Sequence, residues 1–433
     1  MSMSVSRREF LRRAVAAGVA VPTASAFVSQ PNVARALAPN EKLKIGVIGV
    51  ANRAAANLSG VSGEEITALC DVDTAKLDKA AAQFPNAKKF TDFRKLLEGQ
   101  YDAVVVSTPD HTHFHPAYYA LNSGFDVYCE KPLAHSVWEV RKLREAAKAK
   151  NRVTQMGTQI HAEDNYRRVV EIVRSGVLGP ITDVHVWLSG GMRVFNEAPV
   201  TEVPKTVDYD LWTGPAPLNP FSTAHFDFNW RYWFDYGNGA LGDFGCHYMD
   251  LPHWALDLSN PTSIKTEGEK GHNGVNDMPL HLKVEYKHPA KGDRPPVTVT
   301  WYQGKYRPDE FKEYGDGKGS AVLFEGTKGR LLADYGSRKA FMDDGSQPMV
   351  PQSIPNSIGH HAEFLKAVRD RGTTTCNFEY SGALAETVLL GNVSYRAGNV
   401  LLEWDDAKAT VTNEPKAAQF LKREYRKGWE VNA

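Results

Sequence analysis

Cysteine is scarce and never closely paired in this 433-residue chain: Cys70, Cys129, Cys246 and Cys376 stand far apart, with no Cys-x-x-Cys. That spacing points away from a thiolate zinc site and from a disulfide framework. Cys70 and Cys129 end apolar runs, where buried thiols are expected. Net charge is missing as well. Lysine plus arginine number 51, and aspartate plus glutamate also number 51. No polyanion is implied as a partner, and nucleic-acid binding drops out of the reading. The basic run from Arg141 to Arg152 alternates with Glu145 and alanines, as the solvated face of a helix does. A stable membrane span is not expected either. The apolar run from Ala14 to Val21 is closed by Pro22 and falls well short of the roughly 20 residues a spanning helix needs. Internal repeats and low-complexity tracts are absent too.

What the amino terminus does contain is an address. Ser6-Arg7-Arg8-Glu9-Phe10-Leu11 and Arg12-Arg13 precede that apolar run, and Ala24-Ser25-Ala26 follows it, the layout of a secretory signal. The paired arginines ahead of Phe10 and Leu11 resemble the twin-arginine export signal of bacteria. Residues 1–38 are therefore expected to be signal peptide and linker, cleaved after Ala26, with Ala36 and Ala38 as further fitting sites. A periplasmic or otherwise exported protein is expected, with the twin-arginine machinery as a partner. That route carries folded proteins, so a cofactor can be loaded before export.

Residues 42–160 read as a nucleotide-binding domain. Leu43 to Val50 is a nearly continuous apolar run, the mark of a strand buried on both faces. Similar runs occur at Ile66–Cys70, Ala103–Ser107 and Val127–Cys129, with helical stretches at Thr74–Gln83 and Ser136–Lys150 between and after them. Strands alternating with helices predict a doubly wound parallel sheet of the Rossmann type, with the ligand at the carboxyl ends of its strands. Gly49, Asp71, Pro109 and Lys131 all fall at such ends. The opening Lys44-Ile45-Gly46-Val47-Ile48-Gly49 is of the dinucleotide type, but Ala51 and Ala54 stand where Gly-x-Gly-x-x-Gly has its second and third glycines. Alanine at the second place puts a methyl where the backbone meets the pyrophosphate. Asp71 lies 22 residues beyond Gly49, placed to accept from the adenosine ribose hydroxyls. Its charge opposes a 2′-phosphate and no arginine flanks it, so NAD is favoured over NADP.

Three stretches then become specific: Val106-Ser107-Thr108-Pro109-Asp110-His111-Thr112-His113, Ala120-Leu121-Asn122-Ser123-Gly124, and Glu130-Lys131-Pro132-Leu133. With Asp243 and His247 further on, they resemble the Gfo/Idh/MocA oxidoreductase family, which includes glucose-fructose oxidoreductase and inositol dehydrogenase. The likeness runs from Leu43 to the Asp243/His247 segment and more loosely through Glu325–Gly329 to the carboxyl end. It implies a Rossmann domain followed by an α+β domain with a large open antiparallel sheet, often used for homo-oligomer contacts. It also implies Lys131, Asp243 and His247 as the catalytic set. The cofactor is expected on Gly46, Gly49, Ala51, Asn52, Arg53, Asp71, Thr108, Pro109, His113, Glu130 and Lys131. No metal is implied. His111, His113 and His115 alternate, but at the start of a helix they spread around its axis.

Residues 161–410 read independently as an α+β substrate and oligomerisation domain. Asp164–Ser175 is amphipathic, and strand-like runs follow at Ile181–Leu188, His281–Tyr286, Val297–Tyr302 and Ala321–Phe324. Helices are expected at His360–Asp370 and Ala383–Gly398, with residues 411–433 folding back as a tail. Between the strands lies an aromatic insertion containing Trp212, Phe221, Phe226, Phe228, Trp230, Tyr232, Trp233 and Tyr236. It reads equally as satellite core or as a platform for stacking a sugar, with Arg231, Asn229 and Asp227 as hydrogen-bonding groups. Gln155, Gln159 and His161 lie at the domain junction and are candidates to line a substrate pocket.

The chemistry follows from the residue types. Oxidising a secondary alcohol needs a base beside the hydroxyl, and His247 titrates in the useful range. Asp243, four residues earlier, shares its helical face, while Pro252 limits how far that helix runs. Lys131 is placed to stabilise negative charge on the reacting oxygen. An exported enzyme meets no replenished NAD pool, so a tightly held, recycled cofactor is expected. Coupled oxidation and reduction of two sugars fits. So does a redox-neutral glycoside hydrolase or lyase, which needs a further acid/base such as Tyr232, His225 or Tyr236. A non-catalytic carbohydrate-binding protein is the third reading.

Overall fold

The computed structural model describes residues 41–189, 199–269, 276, 278–315 and 317–431. The export-signal reading, on residues 1–38, lies outside them. Among the described residues no helix is long and apolar enough to cross a membrane.

The first sheet is built from β1 (Lys44–Ile48), β2 (Glu65–Cys70), β3 (Lys88–Phe90), β4 (Ala103–Val106), β5 (Asp126–Cys129) and β6 (Thr154–Met156). All pairings are parallel, in the order β3-β2-β1-β4-β5-β6. Every residue of β4 and β5 is buried, which explains their unbroken apolar runs. The chain winds outward from β1 to β3 and returns to β4 beside β1, opening a crevice at the carboxyl ends of β1 and β4. Helix Val137–Lys150 starts sharply because Ser136 and Glu139 form a reciprocal capping box.

The second sheet comprises β7 (Ile181–Leu188), β8 (Ser263–Gly268), β9 (Leu282–His288), β10 (Val297–Gln303), β11 (Ser320–Gly326), β12 (Gly329–Ala333), β13 (Arg338–Met342), β14 (Leu402–Asp405) and β15 (Thr410–Val411). Its order is β13-β12-β11-β7-β10-β9-β8-β14-β15, antiparallel throughout except between β7 and β10. One face supplies Val184, Val186, Val299, Trp301, Val322 and Phe324 to the main core, shared with helix Phe378–Arg396. The other carries His185, Trp187, Tyr302 and Leu323. Helix Phe378–Arg396 begins five residues ahead of the expected Ala383, because Asn377 caps the backbone N–H groups of Glu379 and Tyr380.

The limit expected from Pro252 is seen here. The helix through His247 (Gly239–Tyr248) gives way at Met249, ahead of Pro252, and a second helix runs Asp250–Ala255. Pro252 sits in that helix's first turn, where no intrahelical N–H is required of it. All four cysteines are free and buried. The carboxyl-terminal segment contacts the first sheet's helices: Arg423 and Tyr425 meet Glu139 at 3.0 and 2.8 Å, and the Trp429 carbonyl meets His115 Nε2 at 2.8 Å.

Candidate active site

A cleft enclosing about 1060 Å³ of atom-free space opens at the carboxyl ends of β1, β2 and β4. Gly49, Ala51, Asn52, Arg53, Asp71, Thr108 and Pro109 line it. Gly49 has φ +86°, and a Cβ there would stand 2.5 Å from the Ser107 carbonyl oxygen, so only glycine makes this turn. Helix Arg53–Val61 follows with no side-chain cap from Asn52. The N–H groups of Ala54 and Ala55 bond the Ala51 and Asn52 carbonyls at 3.0 and 3.2 Å, and the positive end of the helix dipole stands at the cleft, the electrostatics a diphosphate requires. The Asp71 carboxylate accepts from the backbone N–H groups of Val50 (3.1 Å) and Asp73 (3.0 Å), which fixes it at the cleft wall. Burial raises its pKa above the usual carboxyl value. These features fit a dinucleotide.

The aromatic insertion closes the same cleft. Trp212, Phe226, Trp230 and Arg231 form part of its lining, and Trp429 joins them from the carboxyl-terminal segment. Trp212, Trp230 and Tyr236 also pack as a satellite core with Ala216, as one of the two readings of the insertion expected. Asp227 crosses the opening. It accepts from Lys76 Nζ at 2.8 Å and from Asn52 Nδ2 at 3.4 Å. Lys76 is the cation that sequence reading did not place beside Asp71, and its ammonium is shared between Asp227 and Asp73 (3.8 Å).

Lys131 follows β5 across a cis peptide bond to Pro132. Its Nζ donates to the Asp243 carbonyl oxygen at 2.7 Å and forms a tight ion pair with Asp243 Oδ1. Arg231 Nε lies 3.5 Å from the other carboxylate oxygen, its guanidinium held between the rings of Phe228 and Trp230 at 4.3 and 4.2 Å. Burial works to raise the Asp243 pKa, but Lys131 and Arg231 outweigh it and hold the carboxyl below its usual value. Lys131 keeps its charge despite burial because Asp243, Asp110 and Glu130 surround it. Asp110 is buried on Asn238 Nδ2 at 3.2 Å, and desolvation pushes its pKa to about 7 against the pull of Lys131. His247, one turn beyond Asp243, has a buried, unpartnered Nδ1. Desolvation, aided by Lys131, lowers its pKa to about 3, so the imidazole is neutral at physiological pH.

The other expected residues take varied places. Glu130 Oε1 accepts from Arg53 Nε (3.3 Å), Asn57 Nδ2 (2.8 Å) and Gln159 Nε2 (2.8 Å). Its carboxylate lies so close to Gly157 that a Cβ there would come within 2.6 Å. Gln159 therefore anchors Glu130 and does not reach into open space. Of the residues expected to hold the cofactor, Gly46, His113, Glu130 and Lys131 stand outside the cleft lining. Gly46 makes room for Leu96 and Tyr101, and His113 Nε2 bonds the Thr108 carbonyl at 2.7 Å beneath the loop. His111 and His115 bond backbone carbonyls of other segments, while Nδ1 of His113 and of His115 is buried without a partner. Tyr236 and His225 are likewise engaged, by Asn219 at 3.1 Å and Tyr209 at 2.9 Å. His161 Nδ1 sits 2.9 Å from the buried Asp250 carboxylate, and its Nε2 is buried without a partner. His360 leaves both ring nitrogens unpartnered. Desolvation first, then His361, His161, Arg53 and His247 around it, hold its pKa well down.

Asp110, Asn57, Asn238 and His360 were not singled out as site residues. Asp110 carries a legible signal, following Pro109 at the mouth of β4. The other three reach the site only through tertiary packing.

Residues 43–158 match the model for an oxidoreductase family with an NAD-binding Rossmann fold, and residues 163–431 match that family's C-terminal alpha/beta domain. An uncharacterized oxidoreductase of Schizosaccharomyces pombe is 30% identical over 291 residues, 67% of this chain and 68% of its own. A glycosyl hydrolase family 109 protein of Solibacter usitatus is 34% identical over 193 residues. That alignment covers 41% of this chain and 44% of the relative, less than half of either. The WlbA dehydrogenase of Bordetella pertussis, solved in complex with NADH and UDP-GlcNAcA, has a TM-score of 0.61 at 16% identity. It covers 84% of this chain and 99% of its own, a likeness of fold.

Proposed function

The chain belongs to the Gfo/Idh/MocA oxidoreductase family, and on that premise we propose that it oxidises a secondary alcohol of a sugar, polyol or glycoside with a resident, recycled NAD. The observation that carries this reading is the state of Lys131. Its ammonium has three donors. Two are committed to Asp243, and the third is free for a substrate oxygen. When bound, the nicotinamide supplies the hydride acceptor. Lys131 then stabilises negative charge on the reacting oxygen, and neutral His247 takes the hydroxyl proton. Asp243 holds the ammonium in place, with Arg231 balancing its second oxygen.

Asp71 favours NAD, because its carboxylate repels a 2′-phosphate while Lys76 is already shared by two aspartates. The strap from Asn52 and Lys76 to Asp227 supports retention of the nucleotide. Retention suits export through the twin-arginine route, which we include in the proposal together with homo-oligomer formation. The test is to denature protein recovered from the exported fraction and identify any released nucleotide. Stoichiometric NAD(H) is expected. Empty protein that also fails to bind added NAD would overturn the reading.

Redox-neutral glycoside cleavage is a second reading, supported by the His161–Asp250 pair with its free Nε2. Transient oxidation to a ketone acidifies the neighbouring C–H. A second base removes that proton while the glycosidic oxygen departs as the alcohol, water adds to the resulting enone, and return of the hydride to the carbonyl carbon restores the oxidation level. Solvent deuterium appearing at that carbon, without net NADH, identifies this course. Net oxidation with no deuterium incorporation removes it.

A further inference from the structure

The outer face of the second sheet carries a cluster unconnected with the nucleotide cleft. His185 on β7, Glu325 on β11 and Glu310 in the segment after β10 bring one ligand atom each within 4.8 Å of one another. His185 Nε2 lies 2.9 Å from Glu325 Oε1 and 3.7 Å from Glu310 Oε2. We propose that these three side chains form a binding site for a divalent first-row transition cation, with zinc as the representative.

Several observations support a cation over a simple ion-pair cluster. Glu325 Oε1 is buried and makes no well-directed hydrogen bond, although the imidazole nitrogen is close by. Carboxylate and imidazole thus converge on a common point without bonding each other. The nearest cation along the ladder is Arg330, paired with Glu325 in register, but its Nη1 turns to Asp343 at 3.1 Å. Lys283 lies over the Tyr302 ring, 5.7 Å from its centroid. Two carboxylates therefore share a half-buried site with an imidazole. A dication relieves their repulsion.

The histidine is also set for ligation. Its Nδ1 stands 3.0 Å from the Tyr302 hydroxyl. With the proton on Nδ1 donated to that oxygen, Nε2 presents its lone pair to the carboxylates, the outer-shell arrangement that orients a metal-binding imidazole. Ligands about 2.0–2.2 Å from a tetrahedral cation stand roughly 3.4 Å apart, inside the range seen here. Three protein ligands leave a fourth position for water. Mixed nitrogen and oxygen ligation suits zinc or manganese better than calcium or magnesium.

Position suggests what the ion does. Glu310 directly precedes the helix Phe311–Tyr314, whose Phe311 ring meets Trp187 edge-on at 5.6 Å. Phe311 and Tyr314 cover the outer cluster of Trp187, Tyr302, Ala321, Leu323 and Leu332. A cation held by β7, β11 and this segment pins the cover to the sheet.

The experiment uses the full chain, stripped with chelator and titrated with zinc by calorimetry, with cobalt(II) absorption as a second readout. One equivalent is expected, weakened at least 100-fold in His185→Ala and Glu325→Gln, with Tyr302→Phe losing 10- to 100-fold. Thermal unfolding of the wild type is expected to shift upward with zinc, and that of His185→Ala to stay unmoved. Absence of zinc binding, or binding and a cobalt spectrum unchanged in both ligand variants, would overturn the site.

Discussion

Replacing Lys131 by methionine keeps most of the side chain's bulk and deletes its charge. If Lys131 serves the reacting oxygen, the variant loses one charged donor in the transition state, worth roughly 2.7–4 kcal/mol, or about 100- to 1000-fold in turnover. Nucleotide content should be unchanged, because Lys131 lies outside the lining of the nucleotide cleft. Folding should also suffer. Asp243 loses its principal counter-ion, and breaking a buried pair in this way costs about 3–5 kcal/mol, with Arg231 at 3.5 Å remaining to soften the loss. Adding Asp243→Asn to the variant should restore much of the stability and none of the activity. The assay is a single turnover with an accepted sugar, following near-ultraviolet absorbance of the reduced nicotinamide, alongside chemical denaturation and nucleotide release. Near wild-type turnover, or loss of nucleotide with chemistry intact, refutes the assignment.

The remaining predictions concern other parts of the site. Asp110 has a folded pKa of about 7 against 3.8, so its contribution to stability is complete below the lower value and is lost as pH rises through the higher. Between about pH 4 and 7, Asp110→Asn should therefore gain on the wild type by up to roughly 4 kcal/mol. Parallel denaturation curves across that range would contradict the buried proton. Asp71→Ala should weaken NAD by at least about tenfold and narrow its advantage over NADP, and equal affinities before and after would remove its ribose role. Asp227→Ala should speed nucleotide release without changing the single-turnover rate; stopped-flow displacement decides this. Replacing Arg7 and Arg8 by lysine should hold the protein in the cytoplasm, and normal export would end the twin-arginine proposal.

Much of this site was legible because it rests on local pattern. Apolar runs ending in Gly49, Asp71, Pro109 and Lys131 marked the strand mouths, and a four-residue spacing placed Asp243 and His247 on one face. Long-range packing was not legible. Nothing near His360 in sequence announces that it stands beside His161, His247 and Arg53. Short strands such as β3 and β6, three residues each, carry too little periodicity to register.

Trp429 sets a timetable for the protein. It lines the nucleotide cleft beside residues as early as Ile48, so the cleft is assembled from segments nearly the whole chain apart. During synthesis the first sheet emerges and folds long before Trp429 leaves the ribosome, and until then the pocket lacks one of its aromatic walls. A chain ending short of residue 429 would lack that wall when it met the dinucleotide. Under the proposed export in the folded state, cofactor occupancy would help separate finished molecules from truncated ones before they leave the compartment where NAD is made.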